Sequence, residues 1–275
     1  MVGWGIYDFL GGVFAKQIGP FKSFFWSQLA GLIAIFLLAF VFTINFNISA
    51  LVILLSATAA ILYSGGYLFF FKGFEIGNVS IVAATMNLWA VFTMLFAFLF
   101  MGQRLTPIQT LGVLMIISGA TLASLNWSGI RKQGLQLSAG VREAVIGAFF
   151  FGVFWNISEI ISEEMGWLFT TLSVKIGIIL FLLSFSLLMK REINLSQATR
   201  RTKTMVVLMW IIEAGAVALV NYGLTIGDAI LITPIASALS IVTITLAIIF
   251  LKERVTILQG VGMGAAIAGI VLTAF

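Results

Sequence analysis

Gln103-Arg104-Leu105-Thr106, followed by Gln109 and Gly112, returns 150 positions later as Glu253-Arg254-Val255-Thr256, followed by Gln259 and Gly262. Working outward from this turn, residues 65–122 lie over 215–272 without a gap. Gly65 meets Gly215, Gly73 meets Gly223, Ile76 meets Ile226 and Gly77 meets Gly227. Thr93, Ala97 and Phe100 meet Thr243, Ala247 and Phe250, and the match runs on through Gly119 and Leu122 over Gly269 and Leu272. That makes 14 identities in 58 positions. Two glycine- and leucine-rich helices reach part of that count by chance, so the shared order of glycines, turn and Gln-x-x-Gly is the stronger evidence. A weaker match at a shift of 147 pairs Gly5 with Gly152 and Gly19 with Gly166. Self-similarity at a fixed period is the mark of a duplicated architecture.

Composition says where that architecture resides. Of the 275 residues, 61% are hydrophobic and only 9% are charged. A soluble domain carries about 25% charged residues, and a water-soluble fold of this size could not hide so much apolar surface. The chain therefore reads as an all-α polytopic membrane protein. A helical span takes about 20 apolar residues. No charged residue occurs between Lys22 and Lys72, and the polar knot Thr43-Ile44-Asn45-Phe46-Asn47 divides that run into two spans. Ten spans result: 2–18, 22–42, 49–71, 78–101, 107–126, 141–161, 167–189, 204–224, 229–251 and 256–275. The apolar runs are continuous rather than alternating, and too long for barrel strands. The first span lacks a basic start and a small-residue cleavage site, so it reads as a short helix rather than a secretory leader.

Residues 1–126 form the first five-helix repeat, 127–140 an inter-repeat loop and 141–275 the second repeat. Five is odd, so the second copy enters the membrane from the opposite side. Inverted repeats of this kind build carriers with a binding site near the bilayer midplane, between the halves.

Trp4-Gly5, the turn at 103–106 with Gln109 and Gly112, its echo at 252–256 with Gln259 and Gly262, and Pro234 in the ninth span resemble the drug/metabolite transporter superfamily, EamA type. The resemblance covers essentially the whole chain. It implies a ten-helix metabolite or drug carrier, usually an exporter, working by alternating access. The chain departs from the family pattern where a basic residue is often found in the second span. Gln28 stands there, and Lys175 stands at the matching place in the seventh. Gln103 also stands where the second copy has Glu253.

Ionisable groups inside a bilayer are costly and mark functional candidates. Asp8, Glu159, Lys175 and Glu213 all lie within spans. Trp155, Asn156 and Glu159 are three and four residues apart and share a helix face, where an aromatic ring, an amide and a carboxylate suit an amino-acid-like or cationic solute. Tyr63, Tyr67, Asn87, Trp89 and Asn221 complete the expected solute-binding set. Three carboxylates within spans point to proton coupling, with Glu213 and Glu159 ahead of Asp8, because a carboxylate removed from water gains affinity for protons. Lys175 is expected to be a structural or gating counter-charge, paired with Glu159 or Glu213. Pro234 removes a backbone donor in the ninth span and is expected to kink it. The small-residue stripe Gly262, Gly264 and Gly269 allows a homodimer face as readily as internal packing, so the chain is expected to be a monomer or a homodimer.

Cysteine and histidine are both absent from the sequence, which excludes thiol nucleophiles, disulfides and the common zinc and haem ligand sets. No acidic diphosphate-binding motif or Walker-type loop is present, so an enzyme is not expected and no cofactor is called for. A channel or an inert scaffold fits the inverted repeat less well than a carrier. No lysine–arginine cluster lies within the spans, which argues against a multiply anionic solute. The solute expected is an amino acid, an amine or a related metabolite, leaving a prokaryotic cell across its inner membrane. The basic residues border spans, where membrane topology places them, and do not indicate nucleic acid. The loops after spans 1, 3, 5, 7 and 9 carry 13 lysines and arginines, and the opposite face carries only Arg104. Basic loops stay cytoplasmic, which would place both termini away from the cytoplasm, whereas the family resemblance implies the reverse.

Overall fold

The computed structural model describes residues 2–42, 48–124, 137–196, 198–237, 239–273 and 275, with backbone alone at 30, 124, 201, 207, 210, 234 and 235. The polar knot at 43–47 and residues 127–136 of the inter-repeat loop, with Arg131 and Lys132, lie outside the described residues. The first half holds α1 (Val2–Ile18), α2 (Pro20–Leu38), α3 (Ala50–Ile76), α4 (Val79–Met86), α5 (Leu88–Phe100) and α6 (Pro107–Ser124). The second holds α7 (Val141–Met165), α8 (Trp167–Leu188), α9 (Arg200–Leu224), α10 (Ala229–Ser237), α11 (Leu239–Leu251) and α12 (Ile257–Thr273).

Every expected span has its helix, and local chemistry sets the ends. Pro20 opens α2, where its missing N–H costs nothing. The Ser49 hydroxyl accepts from the Val52 amide at 3.2 Å, and the Thr199 hydroxyl from the Thr202 amide at 3.1 Å, so α3 and α9 start on side-chain caps. Among the described residues six runs are long and apolar enough to cross a bilayer, Val79–Phe100 among them, and Pro107–Ala123, Leu239–Leu251 and Ile257–Thr273 are shorter apolar helices. The outside is oily: Leu187, Leu188, Phe100 and Ile257 are 80%, 81%, 79% and 87% exposed. Such a surface needs lipid around it. The protein is thus a polytopic helical membrane protein.

The continuous fourth span expected from the sequence is interrupted. Asn87 forms a turn between α4 and α5. The ninth span is carried by α10 and α11, which flank residue 238, and Pro234 lies inside α10.

How the halves meet shows the inversion directly. Gly112 packs on Gly269, and Gly119 on Gly262, so α6 and α12 run antiparallel. A Cβ built on Gly119 would sit 2.5 Å from the Gly262 carbonyl oxygen, and one on Gly262 would sit 2.6 Å from that of Gly119. Only glycine allows the two backbones to approach so closely. Because Gly112 is equivalent to Gly262 and Gly119 to Gly269, the two contacts are images of each other under the repeat. That requires a pseudo-twofold axis across the helices, in the plane of the membrane. Gly262 and Gly269 of the tenth span are therefore covered from within the chain, whereas Gly264 and Gly260 face open space.

Candidate functional site

Near this axis α1, α3, α4, α5, α7 and α11 converge on a small chamber of about 30 Å³, roughly the room of one or two waters. Its walls include Trp4 and Asp8 from α1, Tyr67 and Phe70 from α3, Asn87 and Trp89 at the break in the fourth span, Phe151 and Trp155 from α7, and Leu239 from α11. Three pairs of these residues are repeat equivalents: Trp4 with Phe151, Asp8 with Trp155, and Trp89 with Leu239. The chamber therefore straddles the axis, with half of each pair on either side.

The conserved spacing of α1 on α11, and of α7 on α5, follows from the glycines at the 147 shift. A Cβ on Gly5 would lie 2.5 Å from Cβ of Val242, and one on Gly152 would collide with Phe92. Val242 and Phe92 are themselves equivalent. These two close approaches bring Trp4 and Trp155 to the chamber, where their rings meet edge to face at 5.6 Å, with Trp89 6.0 Å from Trp155.

Three polar atoms of the chamber's lining residues are not satisfied by the protein. Trp4 Nε1, Asp8 Oδ1 and Asn87 Nδ2 are all buried without a hydrogen-bond partner. Orphaned buried groups cost about 1–3 kcal/mol each, and three facing one aromatic chamber mark a place built to meet a ligand or water. The break at Asn87 belongs to the same pattern, since irregular backbone at membrane depth occurs where it lines a cavity.

A second polar cluster lies beside the first. Lys175 Nζ donates to Glu213 Oε2 at 2.7 Å and to Gln28 Oε1 at 3.0 Å, and the Tyr63 hydroxyl donates to Glu213 Oε1 at 2.5 Å. Gln28, Tyr63, Lys175 and Glu213 are all at most 1% exposed. Tyr63 is the repeat equivalent of Glu213, and Gln28 of Lys175. Equivalent residues that touch one another must sit on the axis. Two glutamates or two lysines meeting there would repel, so one copy carries the charges and the other carries neutral partners. This places Lys175 with Glu213 rather than Glu159. The rings of Tyr63 and Tyr67, 4.9 Å apart, connect this cluster to the chamber.

Glu159 has a different setting. Its Oε1 accepts from the Gln103 amide at 2.9 Å and from the Ala229 backbone N–H at 2.8 Å, and Gln103 Oε1 accepts from the Ile230 N–H at 3.2 Å. These two side chains cap the start of α10. The equivalent contact in the other half is made by Glu253, whose carboxylate accepts from the Val79 and Ser80 N–H groups at 2.7 and 2.8 Å and from the Ser80 hydroxyl at 2.7 Å. Carboxylates are favoured at helix N-termini. The repeated turn thus ties each half's last loop to the other half's broken span, one tie at each end of the bundle. Glu253→Ala would strand three donors and should lower stability by about 1–3 kcal/mol. Glu253→Gln, which keeps one acceptor, should lose less. Thermal unfolding in detergent checks this, and an alanine variant as stable as the parent would contradict it.

Of the residues singled out from the sequence, the structure gathers Asp8, Tyr67, Asn87, Trp89 and Trp155 around the chamber. Asn156 instead donates to the Thr93 and Gly152 carbonyls at 3.1 and 2.8 Å. Asn221 accepts from Ser158 at 2.9 Å and donates to Thr171 at 2.8 Å, tying three helices together. Glu159, Glu213 and Tyr63 are engaged as described. Trp4, Phe70 and Phe151 were not among the site candidates, although Trp4 stands in the Trp4-Gly5 motif and Phe151 is its equivalent at the 147 shift. Among the described residues no group of histidine, cysteine, aspartate and glutamate is placed to hold a metal ion.

Comparison with known proteins agrees with this architecture. A solved structure, titled only as a crystal structure of a protein, superposes on 98% of this chain and 94% of its own with a TM-score of 0.69 at 16% identity, which is a likeness of fold. No curated protein matches the sequence. The model of the EamA-like transporter family matches residues 1–125 and 139–275. The chain therefore belongs to the EamA-like transporter family, of the drug/metabolite transporter type, and is a multi-pass integral membrane transporter.

Proposed function

We propose that this protein is a secondary carrier that exports a small organic solute in exchange for protons, and that the solute enters between Trp4, Asp8, Asn87, Trp89 and Trp155 when the halves rock apart and widen the chamber. The observation that carries this reading is the set of three unpartnered polar atoms in an axis-straddling aromatic chamber. An inverted repeat interconverts two mirror arrangements by rocking one half against the other. Residues on the axis keep their mutual contact in both arrangements, so the Lys175–Gln28–Glu213–Tyr63 cluster acts as the fulcrum. The ties at Glu253 and at Gln103–Glu159, at opposite ends, then open and close in turn. Asp8 is the coupling carboxylate, because it is the one in the chamber's lining, whereas Glu213 is held by Lys175 and Glu159 binds the start of α10 through Oε1.

The test is counterflow of labelled amines and amino acids in proteoliposomes. Saturable exchange, lost in Trp155→Ala, is expected. Absence of saturable exchange, or exchange indifferent to Trp155→Ala, would reject the reading.

The orientation follows the charge of the loops. In a prokaryotic inner membrane, the face bearing Lys22, Lys72, Lys190, Arg191, Lys252 and Arg254 is expected on the cytoplasmic side. A single cysteine introduced at Asn45 should react with an impermeant maleimide on intact cells, and one at Ser196 should be protected. The opposite labelling would restore the orientation usual for the family.

A further inference from the structure

A groove of about 590 Å³ opens at the basic end of the bundle, between the α1–α2 turn, the end of α3 and the end of α8. It shares no lining residue with the chamber. Its side chains are layered. On α3, Leu68 lies one turn further into the bilayer than Lys72, and on α8, Phe185 lies inside the helix end that Lys190 and Arg191 follow. Phe21, beside Lys22 in the first turn of α2, meets Phe185 with ring centroids 5.7 Å apart. Apolar side chains thus face the bilayer interior and cations rim the side toward water. We propose that this groove binds an anionic glycerophospholipid, with its phosphate at Lys190 and Arg191 and its acyl chains over Phe21, Leu68 and Phe185.

Charge argues for an anion. Four cations line the groove against two carboxylates. Both acids are taken, since Lys22 pairs with Glu192 at 3.2 Å and Lys72 pairs with Glu75. Among the described residues, Lys190 and Arg191 have no acidic partner. The turn that carries them is clasped. The Arg191 N–H donates to the Ser186 carbonyl at 2.9 Å, and the Ser186 hydroxyl donates to the Arg191 carbonyl at 2.6 Å. Lys190, between them, takes left-handed backbone at φ 52°, a conformation costly for any side chain but glycine's. Just beyond, Trp26 Nε1 donates to the Ile193 carbonyl at 2.6 Å and holds the chain against α2. The two free cations therefore stand at a fixed place over an apolar floor. The duplication supplies an internal comparison: the repeat equivalents of Lys22 and Lys72 are Phe169 and Tyr222, both uncharged. The basic rim belongs to this end of the bundle and is not demanded by the fold. Basic pockets between membrane helices hold anionic headgroups in this way, and arginine suits a phosphate through paired hydrogen bonds. Because α2 and α3 come from the first half and α8 from the second, a bound lipid bridges the halves.

The test is native mass spectrometry of the purified full chain in detergent, titrated with dioleoylphosphatidylglycerol, dioleoylphosphatidylcholine or glycerol 3-phosphate. Each basic residue near a membrane surface adds about fivefold to the binding of an anionic lipid, so phosphatidylglycerol should bind at least about tenfold more tightly than phosphatidylcholine. Lys190→Gln with Arg191→Gln should weaken phosphatidylglycerol about tenfold or more and leave phosphatidylcholine nearly unchanged. Both residues are exposed, so this variant should fold. Lys252→Gln with Arg254→Gln is the matched control. It removes two exposed cations from the same end of the bundle but outside the groove, and Lys252 is left-handed as Lys190 is. The control should lose less than about threefold. Equal binding of the two lipids, or retention of neither, would overturn the site. Equal losses in the two double variants would also overturn it, because the preference would then belong to the whole basic face. Glycerol 3-phosphate should neither be retained nor displace the lipid at equal concentration. If it does either, the groove takes a soluble phosphate and the lipid assignment falls.

Discussion

Asp8→Asn should reduce transport driven by a pH gradient in proteoliposomes to background, a loss of at least about 100-fold, while the protein remains folded and monodisperse. Asparagine is nearly the same size as aspartate and can hydrogen-bond at the same place, but it can neither bind a proton nor balance a cation. The chamber holds one carboxylate, so no second acid is at hand to take over. Glu213 and Glu159, the first choices from sequence, lie outside the chamber; Glu213 is engaged on both oxygens, and Glu159 on one, its Oε2 being buried without a partner. Glu213 faces an ammonium at 2.7 Å and a phenol at 2.5 Å, and Glu159 receives a backbone N–H at 2.8 Å. Glu159→Gln should therefore retain gradient dependence. Gradient-driven transport that persists in Asp8→Asn, or vanishes in Glu159→Gln alone, would move the coupling site away from the chamber.

Lys175→Met should destabilise the protein more than any change to the chamber. It leaves the Glu213 carboxyl group buried with Tyr63 as its remaining donor, and removing one partner of a buried ion pair costs about 3–5 kcal/mol. The sign reverses when both charges go. Lys175→Met combined with Glu213→Met replaces the pair by apolar groups of similar volume, which is often neutral or stabilising. Thermal unfolding in detergent should thus show a large loss in the single variant and substantial recovery in the double. Transport separates fulcrum from filler. If the cluster is the pivot, the stable double variant should keep ligand binding in the chamber and exchange more slowly. Equal stability of parent and single variant would show that the pair is not needed for folding. A changed preference among ligands would show that Lys175 reaches the solute.

The break at Asn87 illustrates where reading along the chain stops. The run from Val79 to Phe100 holds no charged residue, proline or glycine, so nothing local forbids a continuous helix. The break comes where Asn87 meets the chamber, and the chamber's walls come from helices far away in sequence. The glycine stripe of the last span is similar. Its composition suits a homodimer and an internal interface equally, and only packing shows that Gly262 and Gly269 are covered by the antiparallel α6 while Gly264 is not.

What the sequence determined by itself is the membrane class, the ten apolar runs and the duplication. Each of these is a sum of local terms: transfer of apolar residues to lipid, charge at span ends, and a motif repeated at a constant shift. The odd number of spans per copy then fixed the inversion without any knowledge of packing. What only the tertiary structure decided is which polar residues meet. Asp8, Asn87 and Trp155 share a chamber because glycines at 5 and 152 let α1 and α7 approach α11 and α5, a relation between residues as far apart as 5 and 242. Lys175 meets Glu213, and Gln28 and Tyr63 are their neutral partners, because all four lie on the pseudo-twofold axis, where a residue faces its own copy and like charges cannot both remain. A buried carboxylate has the same letter in the sequence whether it waits for a ligand or is already paired, and only the partner brought to it by packing tells the two apart.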